Sequence, residues 1–396
     1  MLIRSKPPLH LTYCLNVHPG ETWAENLTSI ATSAIAVRDR LGWTEPFGLG
    51  LRLSARAAGE LLEGDRLGEF RRFLGDNGLY VFTINGFPYG QFHKTAVKQD
   101  VYRPDWRQES RLTYTLQLAD ILAGLLGEGV TGSISTVPGS YKSWISGASQ
   151  VQTMVANLAA AAMHLDELRA RTGREICLAL EPEPDCYIET TDEAIAFFAG
   201  PMKETGAAWL EAGGRDERSA AEILARHVGL CFDTSHMAVE FEDIGQSLDA
   251  LTAAGVRVAK IHLSSALSAG PGVDAPAALA AFDERVYLHQ VKVRAASGAV
   301  LSYNDLPDAL DSADPSAQWR VHFHVPLFFS GRGDLEPTTA QLIEALPRRI
   351  AAGTTEHLEI ETYTFGVLPP DLAAPDLPAA LAREYEWVFN HLLPRP

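Results

Sequence analysis

Short apolar runs rich in strand-forming residues alternate with longer amphipathic stretches along most of the chain. The runs are LHLTYCLN (9–16), FGLGLRLS (47–54), LYVFTIN (79–85), TGSISTV (131–137), EICLALEP (175–182), HVGLCFD (227–233), RVAKIHLS (257–264), WRVHFHVP (319–326) and HLEIET (357–362). Between most of them lie alanine- and leucine-rich segments with apolar residues at helical spacing, as over 58–77, 110–127 and 151–170. Strands that alternate with helices build βαβ units and a parallel sheet. Eight such units close a (β/α)8 TIM barrel, an α/β fold. Nine strand candidates is one too many. The stretch 265–318 breaks the rhythm and reads as a long insertion in the loop after strand seven, with a hairpin around Val286 to Val293. The run 319–326 belongs either to that insertion or to the barrel as its seventh strand. The tail 384–396 reads as a closing helix stopped by prolines.

Length alone suggests more than one domain, but α/β barrels run long as single domains and absorb insertions in their loops. The chain 1–396 is therefore read as one barrel domain carrying the 265–318 insertion. Hydrophobic residues make up 46% and charged residues 21%, enough for a large core and ordinary for a soluble globular protein. The net charge of −17 argues against nucleic acid and against an anionic membrane surface, and favours a small-molecule substrate. Of the cysteines, Cys14, Cys177 and Cys231 sit in apolar runs and Cys186 stands apart. No zinc-ribbon spacing links them, so they read as inert thiols. The first residues lack the pattern of a signal peptide, and the alanine-rich run near Met154 to Met163 is too short to span a bilayer. A cytoplasmic protein without direct membrane insertion is expected.

Chemistry-bearing residues gather at strand ends. LALEPEPD places Glu181 and then Glu183 where a strand meets prolines. LCFDTSHM ends a strand on Asp233, with His236 three residues on; AKIHLS and LEIETYTF do the same for His262 and Glu361. Parallel barrel strands all end at one face, so these residues form a ring. Two Glu, one Asp and one His suit one borderline divalent ion such as Mn²⁺, Zn²⁺ or Co²⁺. Without a cation, three crowded carboxylates would repel. Each residue alone has a plainer role: Asp233 as a helix cap, His262 as a core histidine, Glu181 as a rim charge. Their matching positions on successive strands favour the metal.

That order and setting resemble the xylose isomerase-like barrel superfamily, which holds sugar epimerases, sugar isomerases and endonuclease IV-type phosphodiesterases. The resemblance implies Glu181, Asp233, His262 and Glu361 as metal ligands and maps His236 onto the family's histidine after the aspartate. Several segments are similar to the EboE family of metabolite-traffic barrel proteins: TYCLNVHPGE (12–21), GLRLS (50–54), INGFPYG (84–90), STVPGSYK (135–142), VYLHQV (286–291), VHFHVPLF (321–328) and HLEIETYTF (357–365). That likeness implies partners in a membrane-associated pathway. Two departures matter. Ketose epimerases carry an Arg shortly after the strand-seven His, where LSSALSAGP stands here. The extra ligands of a trinuclear endonuclease site are replaced by Arg52 and Asn85.

Further candidates for a metal or substrate contact are His324, His289, Lys142, Arg52 and His18. His322 and His324 lie two apart and face one side of an extended segment, which makes His324 the competitor of His262 for the fourth ligand position. Lys142 and Arg52 are the cations available for an anionic substrate group. His93 reads as part of a lid, and Phe87, Tyr89, Tyr141 and Trp144 as pocket walls. No phosphate-binding, dinucleotide or serine-nucleophile motif appears, so ATP and NAD are not expected. Three functions are open. The first is an isomerase or epimerase of a small hydroxy-carbonyl metabolite, with Glu181 and Glu361 moving the proton and His236 orienting substrate. The others are a metal-dependent phosphoester hydrolase and a non-catalytic metabolite carrier.

Overall fold

The computed structural model describes residues 1–91, 97–271, 274–314, 316–370, 372–373 and 376–395. His93 lies outside them. Fourteen strands are present among these residues. The first is β1 (Leu2–Ser5), an antiparallel flap on β2 (Pro8–Tyr13). The ring then runs β2, β3 (Phe47–Arg52), β4 (Leu79–Asn85), β5 (Gly132–Thr136), β6 (Ile176–Leu180), β7 (Val228–Asp233), β8 (Val258–Leu263) and, after a long excursion, β14 (His357–Ile360). Neighbours pair in parallel, and β14 pairs with both β8 and β2. A parallel bridge from Cys14 to Gly50 closes the circle, with the Thr12 hydroxyl donating to Gly48 O at 2.9 Å. The result is an eight-stranded parallel α/β barrel.

The ring strands read as near-continuous apolar runs because both of their faces are covered, one by helices and one by the barrel interior. Helices Glu109–Leu125 and Ala148–Thr172 fall where the helical spacing puts them. The expected helix over 58–77 is two helices, Ala55–Leu61 and Arg66–Asp76. Gly64 in the turn between them takes φ +61°, a left-handed conformation that glycine adopts without a Cβ penalty. The closing helix begins at Leu377, ahead of the expected 384, with Asp376 capping Ala379 N.

Between β8 and β14 the chain builds a second, antiparallel sheet in the order β11-β10-β12-β9-β13. Its strands are β9 (Leu267–Ala269), β10 (Val291–Arg294), β11 (Val300–Tyr303), β12 (Gln318–Val321) and β13 (Leu335–Pro337). The run 319–326 therefore contributes β12 to this sheet and no strand to the ring. The hairpin expected around Val286 to Val293 is displaced to β10 and β11. The cause is local: carboxylates take the backbone donors that a strand would need. Glu284 accepts from Val286 N (2.6 Å) and Tyr287 N (2.8 Å), and Asp305 accepts from His289 N (3.0 Å). Lys292 on β10 ties the second sheet to the barrel loops. Its ammonium meets Glu189, Glu240 at 3.1 Å and Asp185 at 3.3 Å.

Glu384 on the last helix is fully buried beneath the strand ends. It accepts from Thr362 Oγ1 at 2.7 Å and Leu327 N at 3.1 Å through one oxygen, while the other has no hydrogen-bond partner. Burial pushes its carboxyl up to about 7 against these two donors. The folded state therefore holds a proton that the unfolded chain releases near 4.5, and stability falls as pH rises from that value toward 7. The shift corresponds to about 3 kcal/mol. Urea unfolding at pH 5 and pH 8 should show this loss in the parent chain, and Glu384→Gln should remove that component.

Candidate metal centre

Four strand ends converge at the C-terminal mouth of the barrel. Glu181 follows β6, Asp233 ends β7, His262 lies in β8 and Glu361 follows β14, and all four are buried. One ligand atom from each lies within 4.8 Å of the others. His262 Nδ1 stands 2.8 Å from Glu181 Oε1, 3.5 Å from Glu361 Oε2 and 3.6 Å from Asp233 Oδ2. Asp233 fills its plainer role as well, with a different oxygen. Its Oδ1 accepts from Ser235 N, His236 N and Ser264 Oγ at 2.7–3.0 Å and caps the helix Thr234–Val239, leaving Oδ2 for the ring.

Two buried oxygens here, Glu181 Oε2 and Asp233 Oδ2, have no hydrogen-bond partner. An orphaned buried carboxylate oxygen is costly. Two carboxylates about 4 Å apart add roughly 4 kcal/mol of repulsion at an effective dielectric of about 20. A divalent cation resolves both, and three carboxylates with one imidazole form a donor set that suits one. Glu361 is aimed by two amides: Asn16 Nδ2 and Asn85 Nδ2 donate to its Oε1 at 2.9 and 3.2 Å, leaving Oε2 on the ring side.

The second nitrogen of His262 explains the ring's orientation. Nε2 donates to Glu359 Oε2 at 3.0 Å, and Glu359 is ion-paired with the buried Lys260. This carboxylate–imidazole arrangement fixes which nitrogen is free to ligate. Burial alone would raise Glu359, but the ammonium beside it and the His262 hydrogen bond hold it at about 2. Burial would likewise lower His262, yet the Cys231, Glu181 and Glu361 groups around it raise it well above its ordinary value. Glu359 and Lys260 escaped the sequence reading. A signal was present: each lies two residues before a ring member, Lys260 within β8 and Glu359 in β14 just ahead of Glu361, and extended backbone puts such residues on one face. Room for Glu359 depends on a bare backbone, because a Cβ on Gly50 would lie 1.9 Å from Glu359 Oε1.

A cleft leads to the ring. Its walls include Phe87, Tyr102, Tyr287 and Tyr363, with Glu181, Glu361, His236 and His322 at the bottom. Glu183 is also there, accepting from Tyr102 Oη at 2.8 Å. Burial, and then the Glu181, Glu361 and Asp233 carboxylates, raise it well above the carboxylate range despite the tyrosine. His236 touches the ring edge, its Nε2 3.9 Å from Asp233 Oδ1. His324 lies one step out, with Nδ1 3.6 Å from Glu361 Oε2, so His262 and not His324 sits among the three carboxylates.

The other candidates are placed elsewhere. His289 uses both nitrogens, toward His322 O (2.9 Å) and Glu284 Oε1 (2.8 Å), and thereby positions the His322 backbone. Lys142 is ion-paired with Glu189 and with Glu193 at 2.8 Å. Arg52 donates to the carbonyls of Gly20 (2.7 Å) and Gly90, where it ties two loops together. His18 meets Tyr13 Oη at 2.9 Å. None of these four lines the cleft. Phe87 does, and Tyr141 stacks behind Tyr102 at 5.1 Å. All four cysteines are buried and free. Among the described residues no helix is long and apolar enough to cross a membrane.

No family model and no curated protein matches the chain. Solved structures that are similar to it include a probable 3-DHS dehydratase, AsbF, involved in petrobactin synthesis from Bacillus anthracis. It shows 13% identity over 96% of this chain and 99% of that one, with a TM-score of 0.49. The IOLI protein with a binding zinc atom shows 10% identity over 97% and 98%, with a TM-score of 0.48. L-ribulose 3-epimerase shows 13% identity over 96% and 93%, with a TM-score of 0.45.

Proposed function

We propose that the chain is a divalent-metal-dependent isomerase or epimerase acting on a small hydroxy-carbonyl metabolite. The observation that carries this reading is the closed ring of Glu181, Asp233, His262 and Glu361 at a tyrosine-walled cleft. An ion held there supplies Lewis-acid polarisation of adjacent substrate oxygens. Glu181 and Glu361 enter the ring from different strands. One carboxylate takes the proton from the carbon beside the carbonyl, and the other returns a proton to that carbon or its neighbour. His236, whose Nδ1 donates to Pro182 O at 2.9 Å, presents Nε2 toward the cleft and orients a substrate hydroxyl. Tyr102, Tyr287 and Tyr363 wall the substrate from water. The EboE-like segments extend the reading to a task in metabolite traffic inside the cell.

The test is incubation of metal-replete protein in deuterated water with a panel of sugars, polyols and hydroxy-acids. Incorporation of deuterium at the carbon next to a carbonyl is the expected result. Absence of exchange across the panel would sink this reading. Release of phosphate from model esters would replace it by a hydrolase, and ligand binding without turnover by a carrier.

A further inference from the structure

Beside the carboxylate ring lies a second cluster, His236, His322 and His324, all buried, with one nitrogen of each within 4.8 Å of the other two. Each ring is oriented by its Nδ1 against an oxygen that can only accept. His236 faces Pro182 O at 2.9 Å, His322 faces Gln290 Oε1 at 2.7 Å and His324 faces Glu361 O at 3.0 Å. The Gln290 amide cannot be turned round, because its Nε2 donates to Pro184 O at 2.9 Å, another pure acceptor. All three Nδ1 atoms therefore carry a proton, which leaves Nε2 as the atom each ring can offer a ligand.

His322 Nε2 and His324 Nε2 nevertheless stand 3.2 Å apart. Two lone pairs at that distance repel unless a shared proton or a metal ion sits between them. Nitrogen ligands about 2.0–2.1 Å from a tetrahedral zinc ion are themselves about 3.3 Å apart, close to the spacing observed. Hydrogen bonds from each Nδ1 to a carbonyl are also the usual means of aiming histidine ligands at a metal.

We infer that His236, His322 and His324 form a second divalent-cation site, which takes Zn²⁺ or a similar borderline ion through three imidazole nitrogens. The inference does not require the isomerase reading, and in it His236 Nε2 ligates the second cation instead of orienting a substrate hydroxyl. The two sites differ in chemistry: three neutral imidazoles suit Zn, Ni or Cu, whereas the carboxylate-rich ring also accommodates Mn. They adjoin through Asp233 and Glu361, the first 3.9 Å from His236 Nε2 and the second 3.6 Å from His324 Nδ1. The second sheet thus has a chemical task, since it delivers Gln290 just before β10 and His322 just after β12.

Full-length protein stripped with a chelator and re-equilibrated with Zn²⁺ should hold two equivalents per chain by elemental analysis. His322→Ala should hold one, and Glu181→Gln should weaken the other. Should His322→Ala fail to fold, Gln290→Leu leaves all three rings in place and frees His322 to rotate. It should weaken the second equivalent about 10–100-fold. A single equivalent that Glu181→Gln removes and His322→Ala retains overturns the second site, as do two equivalents indifferent to both His322→Ala and Gln290→Leu, or none at all. A single equivalent with the opposite dependence keeps the imidazole site and sinks the carboxylate one.

Discussion

Glu361→Gln is expected to slow deuterium exchange into substrate by about 10²–10⁴-fold, the usual contribution of a positioned general base. The geometry makes this substitution sharper than an ordinary loss of charge. Asn16 and Asn85 both donate to Oε1 of Glu361, so the side-chain oxygen of a glutamine must stay on that side. Its NH₂ group then replaces Oε2 on the ring side. An amide nitrogen has no lone pair to ligate a cation or to accept a proton, so metal affinity and proton transfer fall together. The metal-free fold should change little, because one buried carboxylate is removed from a crowd of three. NMR exchange rates, a competitive metal titration and urea unfolding of the metal-free protein separate these effects. Exchange within a few fold of the parent chain would show that Glu361 is not the base.

How much of this was legible beforehand follows the physics of each feature. The ring residues were readable because β-rich runs stop abruptly on Glu, Asp or His, and parallel strands bring such ends together. Lys142 and Arg52 looked like substrate-binding cations because sequence shows a charge but not its neutraliser. Glu189 and Glu193 meet Lys142 across 47 and 51 residues. The second sheet was hard to see for a related reason. Strands β9 and β13 have three residues each, too few for a period, and their pairing is set by partners far along the chain. His322 and His324 were recognised as sharing one face. Their third companion, His236, joins them only in space.

Below the ring, the barrel interior predicts the largest effect on stability. Lys260 and Glu359 are both fully buried and ion-paired, and Lys260 Nζ also donates to Thr83 Oγ1 at 2.9 Å. Glu359 Oε1 has no hydrogen-bond partner, so the carboxylate depends on the ammonium and on His262 Nε2 for compensation. Lys260→Met removes the stronger of the two and leaves a buried charge. Such half-removals cost about 3–5 kcal/mol. The double variant Lys260→Met with Glu359→Gln should recover most of that loss, because a neutral glutamine needs no counter-ion and its oxygen can still accept from His262 Nε2. Equal destabilisation by single and double variants in urea would mean that packing, not charge, governs the site.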